Sequence, residues 1–153
     1  MTWGFPLAQR SKATGKPIKP KPVNNARREK LDSYFWRASF AERRCLIPAT
    51  AWAEAEGERG SITRTWLSME GQELFACAGV WRQSEEWGRV YAMVMTDAAG
   101  EAAELHSRIP VLLRAADYAA WLEGPQEAAL ALCEPYEGPL VIDNRTAEPG
   151  VRR

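Results

Sequence analysis

The chain has 153 residues, a formal net charge of zero, 46% hydrophobic residues and 26% charged residues, a composition typical of one globular domain. No apolar run approaches the roughly 20 residues that span a bilayer, and the N-terminus lacks the pattern of a signal peptide. Cys45, Cys77 and Cys133 are far apart and odd in number, which argues against a disulfide framework and against a CxxC metal site. We therefore expect a reduced, cytoplasmic protein with a single domain over residues 1–153 and no membrane partner.

The charge is unevenly distributed along the chain. Residues 10–30 contain eight basic residues and one acidic residue, Glu29, and carry +7, whereas residues 31–153 carry −7. A basic stretch of this kind can bind the phosphates of a nucleic acid. It can equally be a solvated loop that its lysines keep soluble, and composition does not choose between these two interpretations.

The pattern of apolar residues and turn residues predicts more strand than helix. The predicted elements, in chain order, are a strand at 2–7, an extended loop at 11–22, a helix at 32–44, strands at 45–48, 50–56, 63–67, 74–81 and 89–96, helices at 98–105, 114–122 and 126–133, and a strand at 140–142. The prolines at 17, 20 and 22 exclude a helix in the first loop and predict a stiff, exposed segment. Asp32 or Ser33 is a suitable N-cap for the helix that follows.

The predicted strands follow one another in hairpin-like order, with helices between and after them. This order favours an α+β fold with a strongly curved, largely antiparallel sheet over a doubly wound parallel fold. Between residues 50 and 56, alanines alternate with Trp52, Glu54 and Glu56, which predicts a strand with its carboxylates on one face.

His106 is the only histidine, and its side chain is the one whose unperturbed pKa lies near neutrality. Arg108 follows two positions later, and in an extended segment two such residues point to the same face. The pair could therefore place a proton-transfer group beside a fixed cation. A lone histidine is more often structural or exposed than catalytic, so this segment alone does not establish a function.

Three further stretches carry side chains that could take part in chemistry: Trp3-Gly4, Asn25-Ala26-Arg27 and Trp52-Ala53-Glu54. A carboxylate and a histidine from separate strands can divide acid and base roles. Asn25 could orient a reacting group, and Arg27 and Arg108 could bind phosphates.

Each of these residues also has a structural interpretation. Asn25 could cap a turn, Glu54 could be a surface carboxylate, and Arg27 could simply extend the basic loop. One histidine and scattered cysteines lack the spacing of metal ligands, and there is no glycine-rich phosphate loop. We therefore expect no metal and no cofactor.

Five segments stand out as a set when they are taken in order and with their spacing. They are Trp3-Gly4-Phe5-Pro6, Asn25-Ala26-Arg27, Arg44-Cys45-Leu46-Ile47-Pro48 through Glu54, Ala78-Gly79-Val80-Trp81, and His106-x-Arg108-x-Pro110-Val111-Leu112-Leu113. Together they resemble the SOS response-associated peptidase (SRAP) family. The similarity runs from Trp3 to about Trp121 and is weaker beyond.

The resemblance implies a curved, barrel-like α+β domain that binds single-stranded DNA and processes abasic sites. Family members carry a cysteine directly after the initiator Met, and Met removal, apparently autocatalytic in some, frees it. The amine and thiol of that cysteine react with the abasic-site aldehyde to form a thiazolidine DNA–protein crosslink. By position, the resemblance implies that Asn25 holds the terminal cysteine, that Glu54 and His106 transfer protons, that Arg27 and Arg108 bind phosphates, and that Trp3 and Trp52 lie along the DNA and could stack on a base.

Three positions depart from the family pattern. Residue 2 is Thr, and Met1 stands directly before the Trp-Gly motif, so we expect the N-terminal section with its nucleophile to be missing. Ala55 replaces the tryptophan that often follows the glutamate, and Ser107 replaces the usual aspartate between the histidine and the arginine. Cys45 and Cys77 are expected to be structural thiols rather than substitutes for the nucleophile.

Two explanations of the missing nucleophile stay open. Met1 could be an internal methionine of a protein that begins upstream with Met-Cys, which is the interpretation we favour. Alternatively, the chain could be a noncatalytic DNA-binding or phage-associated remnant of the family. A peptidase that acts on other proteins is a third option, but the sequence offers no catalytic triad for it.

Overall fold

The computed structural model describes residues 1–56 and 63–143, which contain twelve strands and four short helices. The strands are β1 (Thr2–Trp3), β2 (Phe5–Arg10), β3 (Pro17–Val23), β4 (Asn25–Arg27), β5 (Arg44–Ala49), β6 (Trp52–Glu56), β7 (Thr63–Met69), β8 (Phe75–Ser84), β9 (Gly88–Asp97), β10 (Arg108–Pro110), β11 (Leu112–Leu113) and β12 (Leu140–Asp143). The helices are α1 (Arg37–Glu42), α2 (Gly100–Leu105), α3 (Tyr118–Glu123) and α4 (Gln126–Ala131), with 3₁₀ turns at Arg28–Lys30 and Ala115–Asp117. Within the described ranges, no helix is both long enough and apolar enough to cross a bilayer.

Strand β9 organises the largest sheet, because β1, β4, β8 and β10 all pair with it. Its hairpin with β8 is closed at Gly88, whose φ of +67° is the left-handed conformation that glycine adopts at little cost. Seven of the nine strand pairings between described residues are antiparallel. The predicted α+β fold with a largely antiparallel sheet is therefore confirmed, and the described strands form three open sheets rather than a closed barrel.

The segment after α2 is inserted between β8 and β9 where these two strands no longer pair with each other. Its first part, β10, pairs with β9, and its second part, β11, pairs with β8. Val111 joins the two, because its N–H donates to the Val94 carbonyl at 2.9 Å and its own carbonyl accepts from Ala78 N–H at 2.9 Å. This insertion holds His106 and Arg108 at the end of β9.

The short strands β1 and β4 lie along the other edge of β9 and run parallel to it. Trp3 is opposite Tyr91, and Asn25 is opposite Met93. Because Tyr91 and Met93 are two residues apart on one strand, Trp3 and Asn25 come close together although 21 residues separate them in sequence. The Trp3 indole N–H donates to the Asn24 carbonyl at 3.1 Å, which ties the two short strands together.

Gly4 allows the chain to turn sharply between β1 and β2. Its φ is +112°, and its N–H donates to the Tyr91 carbonyl at 2.8 Å. A Cβ built on Gly4 would lie 2.8 Å from the Cβ of Pro22, so a side chain has no room there. Glycine is thus required at position 4 by backbone geometry, where the chain passes close to Pro22.

The prediction of an extended loop at 11–22 is wrong for its second half, because Pro17–Val23 forms β3, which pairs antiparallel with β2. Prolines are tolerated in β3 because this is a two-stranded sheet, where each strand has one unpaired edge that needs no N–H donors. The lysines that β3 carries remain exposed on this hairpin.

The helix predicted at 32–44 is shorter, Arg37–Glu42, and neither Asp32 nor Ser33 caps it. The carbonyl of Ser33, not its hydroxyl, accepts hydrogen bonds from the N–H groups of Trp36 and Arg37, at 3.0 and 2.8 Å. Turns over residues 31–36 let Leu31 and Trp36 enter the core together with Phe40. The spacing of the aromatic residues predicts a helix over the whole segment. Packing of their rings in the core sets a different backbone conformation for residues 31–36.

The third sheet, with strand order β12-β7-β6, carries one wall of the candidate site. In it Trp52 is opposite Leu67 and Glu54 is opposite Thr65. Trp52 and Leu67 belong to a buried cluster that also contains Phe75. The sheet is therefore anchored through this cluster, and β6, its edge strand, borders the cleft described below.

Candidate nucleic-acid interface

Two adjoining clefts bring together all seven residues that the sequence singles out. The first, here called the indole cleft, has a volume of about 450 Å³ and is lined by Trp3, Asn25, Trp52, Glu54, Arg64, Trp66, Met93, Met95 and Pro110, with Ala51 and Ala53. The second, here called the arginine cleft, has a volume of about 520 Å³, and its polar lining is Lys21, Asn24, Asn25, Arg27, His106 and Arg108. Because Asn25 and Met95 line both, the two clefts form one continuous surface.

Glu54 reaches the site through the alternation of β6. Trp52 is 7% exposed and the Glu54 side chain is 12% exposed, whereas Ala53 between them faces solvent. Glu54 is therefore not a surface carboxylate. Burial raises the pKa of Glu54, while His106 and the nearby Trp52 indole lower this pKa in part.

The Trp52 indole N–H affects the pKa of Glu54, although the two groups do not meet hydrogen-bond geometry. It is buried, and no described acceptor meets hydrogen-bond geometry with it. It nevertheless lies close enough to lower the pKa of the Glu54 carboxyl. A buried donor without a partner is costly, so the nearby Glu54 carboxyl reduces this cost in part.

His106 lies directly after α2, where its backbone N–H donates to the Ala102 carbonyl at 3.0 Å. Its ring Nδ1 lies 2.8 Å from the Arg108 carbonyl oxygen and 3.2 Å from the Arg108 backbone nitrogen. A protonated Nδ1 donates to that carbonyl, and an unprotonated Nδ1 accepts from the Arg108 N–H, so the Arg108 backbone can hold either tautomer of the ring. Within the described residues, Nε2 makes no hydrogen bond.

Glu54 and His106 meet where the two clefts join. The Glu54 Oε2 atom lies 3.6 Å from the His106 Nδ1 atom, although Glu54 belongs to β6 and His106 to the segment between α2 and β10. This distance is longer than a hydrogen bond, but a charge on one group still acts on the other. A buried carboxyl and an imidazole at this separation can divide the roles of proton donor and acceptor.

Arg108 is held by a partner that the sequence analysis did not single out. Its guanidinium forms a two-point ion pair with Glu29, at 2.9 Å between Nη2 and Oε1 and 3.3 Å between Nη1 and Oε2. The hydrogen bond from Arg108 lowers the pKa of Glu29. The sequence offers one signal for Glu29, which is the single acidic residue of the basic stretch. It does not indicate the partner of Glu29, because Arg108 is 79 residues away.

Arg27 is the exposed cation of the arginine cleft, and it forms no ion pair with any described residue. It projects from β4 opposite Met95, on the strand that also carries Asn25. Asn25 therefore belongs to a strand rather than to a turn, which contradicts its interpretation as a turn cap. Lys21 adds a third cation to the cleft beside Arg27 and Arg108.

None of the three cysteines is placed or activated as a nucleophile. Cys77 and Cys133 are buried and Cys45 is half-buried, and none of them lines either cleft. Burial raises the pKa of Cys45 to about 11 and that of Cys77 and Cys133 to about 12. The expectation that Cys45 and Cys77 are structural thiols agrees with these environments. In the described ranges, no three His, Cys, Asp or Glu side chains are grouped so that they could bind a metal ion.

Comparisons with known proteins concern the family and the fold. A family model described as SOS response associated peptidase (SRAP) matches residues 1–146. A Bordetella bronchiseptica protein of known structure aligns with a TM-score of 0.73 at 24% identity over 95% of this chain and 75% of its own. A phage-related protein from the same organism aligns with a TM-score of 0.60 at 20% identity. The alignment covers 86% of this chain and 72% of that protein.

A Bacteroides thetaiotaomicron protein of known structure aligns with a TM-score of 0.67 at 17% identity and covers 79% of this chain. The chain spans only 58% of the length of that protein. At these identities the structural similarity concerns the fold alone. Among curated proteins, none matches this chain.

Proposed function

Since the chain belongs to the SRAP family, with residues 1–146 matched, we propose that its two clefts bind single-stranded DNA at an abasic site. The observation that carries this proposal is the Glu54–His106 pair, 3.6 Å apart, at the junction of an aromatic cleft and a cationic cleft. The cationic cleft suits the phosphate backbone, and the aromatic cleft suits unpaired bases. The proton-transfer pair then faces the sugar that lies between them.

In this proposal the residues have distinct tasks. Arg27 and Arg108 hold phosphates on either side of the abasic position, and Asn25, which lines both clefts, orients the group that attacks the sugar. Trp3 and Trp52 line the side on which the bases lie. The ring-opened abasic sugar carries an aldehyde, and attack on it requires a proton to reach the carbonyl oxygen. Glu54, whose pKa is raised by burial, supplies that proton, and the His106 imidazole accepts one from the sugar hydroxyl as the ring opens.

Covalent crosslinking is the finer part of the proposal. The amine and thiol of a terminal cysteine add to the aldehyde carbon, a C–N bond and a C–S bond form, and one water leaves. The environments of Cys45, Cys77 and Cys133 do not suit any of them to provide this thiol. The crosslink therefore needs a cysteine in addition to residues 1–153, as does the autoproteolytic peptidase step that would expose it.

The second candidate function is noncatalytic binding of single-stranded DNA. It is favoured by the environments of the three thiols, whose raised pKa values do not suit a nucleophile. If the protein only binds DNA, its affinity for DNA depends on Arg27 and Arg108 but not on Glu54 or His106.

The direct test of binding is fluorescence anisotropy of a labelled abasic oligonucleotide across a range of salt concentrations. We expect the binding constant to fall with salt and the slope of log Kobs against log salt to decrease by about 0.7 in Arg27→Ala, as for one lost phosphate contact on single strands. Lys12→Ala, in the same basic stretch but outside both clefts, is the control. An unchanged slope in Arg27→Ala contradicts the phosphate role.

The test of crosslinking is a denaturing gel with abasic single-stranded DNA. The chain as given is compared with a version extended to an upstream Met-Cys, and the extended version is also tested with Glu54→Gln and His106→Ala. A heat-stable shifted band in the extended version, diminished in both variants, supports the enzymatic proposal. Salt-dependent binding without a band in any version favours the noncatalytic candidate.

A further inference from the structure

Two residues of β7 contribute to the indole cleft and were not singled out by sequence. Arg64 and Trp66 are two positions apart on the strand and therefore share a face. Trp66 is opposite Ala53 of β6 on one side and Asp143 of β12 on the other. The small Ala53 leaves the Trp66 indole uncovered on the β6 side.

The cleft has an exposed indole from each of two sheets. Trp66, in the sheet of β6, β7 and β12, is 41% exposed, and Trp3, in the sheet of β9, is 48% exposed. Single exposed apolar residues need no explanation, but two tryptophans that line one cleft form an aromatic surface of the kind that marks a binding site. Met93, Met95 and Pro110 add apolar surface to the same cleft.

Trp66 and Arg64 offer an aromatic face and a cation side by side on β7. They flank Thr65, which is opposite Glu54, so they lie on the other face of this sheet from the Glu54 carboxyl. Arg64 is exposed and forms no ion pair with any described residue, so its guanidinium is free to contact a phosphate. A ligand with an uncharged aromatic part on Trp66 and an anionic part near Arg64 matches this arrangement.

We propose that Trp66 and Arg64 form a subsite for the nucleotide next to the abasic position, with its base stacked on Trp66 and facing Trp3 and its phosphate held by Arg64. This inference rests on the proposed binding of single-stranded DNA and adds to it the recognition of a neighbouring base. An abasic nucleotide has no base, so the protein positions its sugar by binding the nucleotides on either side. Stacking tolerates any base, since every base has an aromatic face.

The experiment measures affinity for two oligonucleotides by anisotropy. The first has one abasic position flanked by natural bases, and the second has three consecutive abasic positions, so that the flanking bases are missing and the phosphates are retained. We expect Trp66→Ala to bind the first about 5- to 150-fold more weakly than wild type, the range for one lost base stack. On the second oligonucleotide, Trp66→Ala and wild type should bind equally.

Five further variants complete the test. Trp66→Phe should retain most of the affinity, while Trp66→Leu, which keeps apolar bulk but no aromatic face, should lose it. Tyr34→Ala removes an aromatic side chain that is 86% exposed and lines neither cleft, and it should behave as wild type. Arg64→Ala should lower the salt slope by about 0.7 and Arg64→Lys should not, as expected for one phosphate contact on a single strand.

The outcomes distinguish this inference from the proposed function. If wild type shows salt-dependent binding that Arg27→Ala weakens, but Trp66→Ala and Trp66→Leu bind the first oligonucleotide as wild type does, the subsite is wrong and the DNA-binding function stands. If Trp66→Ala loses affinity equally for both oligonucleotides, the residue supports the fold rather than a base, and the subsite is again wrong. If wild type does not bind single-stranded DNA at all, both proposals fail.

Discussion

The Nδ1 atom of His106, at the end of α2, lies 3.6 Å from the Oε2 atom of Glu54 on β6. His106 is held there by its contacts with the backbone of Arg108, and Glu54 by the inward face of β6. The two groups are close enough to influence each other's charge, yet neither is tied up in a strong hydrogen bond with the other. This relationship is what an acid–base pair needs before its substrate arrives.

Glu54→Gln should stabilise the protein at neutral pH. Burial raises the folded-state pKa of Glu54 above its ordinary value of 4.5. Its contribution therefore favours folding below the ordinary carboxyl pKa and is lost as pH rises through the raised pKa, because the ionised form is poorly solvated. Thermal melts should show a higher Tm for Glu54→Gln at pH 7, by about 2–4 °C per kcal/mol, and no difference near pH 4. Glu70→Gln, an exposed carboxyl, is the control; a lower Tm for Glu54→Gln at pH 7 would mean that the ionised carboxylate is stabilised by His106.

Glu29→Gln should increase affinity for single-stranded DNA, because Glu29 occupies the guanidinium of Arg108 that the proposal assigns to a phosphate. We expect a gain of roughly 1.5- to 5-fold at low salt, as for the loss of one competing exposed ion pair. The gain should disappear in the double variant with Arg108→Ala. Glu134→Gln, which breaks the Arg28–Glu134 pair at 2.7 Å with the same change in charge, is the matched control. An equal gain in Glu134→Gln would show that net charge alone is responsible.

Arg44→Met should destabilise the fold without touching the site. The buried Arg44 guanidinium donates to the carbonyls of Phe40 and Ala41 in α1, and to those of Trp121 and Gly124 at the end of α3. Because the last carbonyls of a helix have no partner within it, their loss should lower the free energy of unfolding by roughly 2–4 kcal/mol. Urea denaturation measures the change. Arg89→Met, on the exposed part of β9, should stay within about 0.5 kcal/mol of wild type.

Gly4→Ala should cost more stability than Gly88→Ala. Both glycines have positive φ, +112° and +67°, so both variants pay a conformational cost of about 1 kcal/mol. A Cβ at Gly88 meets nothing within 4 Å, whereas a Cβ at Gly4 meets Pro22 at 2.8 Å and must displace the chain. Denaturation midpoints should therefore fall further for Gly4→Ala, and DNA affinity should fall with them because β1 carries Trp3. Equal midpoints would show that the contact with Pro22 relaxes freely.

Several features of the site could be predicted from local sequence because they depend on short-range periodicity. The alternation of Trp52, Ala53 and Glu54 has the period of a strand, and the structure shows Trp52 and Glu54 on the inward face. The extended stretch from His106 to Arg108 likewise places both residues along one cleft. By contrast, the aromatic spacing of residues 35–40 suggested a longer helix than Arg37–Glu42, because packing of rings in a core can satisfy the same spacing.

By itself, the sequence determined the α+β class, the strand that carries Glu54, the seven residues of the candidate site and, through its motifs, the SRAP family. Tertiary structure alone decided that Glu29 pairs with Arg108, that Trp66 faces the same cleft as Trp3, and that Pro17–Val23 is a strand. The physical reason is distance along the chain. Periodicity and turn chemistry act over a few residues, whereas an ion pair between residues 79 positions apart depends on how β9 and its neighbours bring distant segments together.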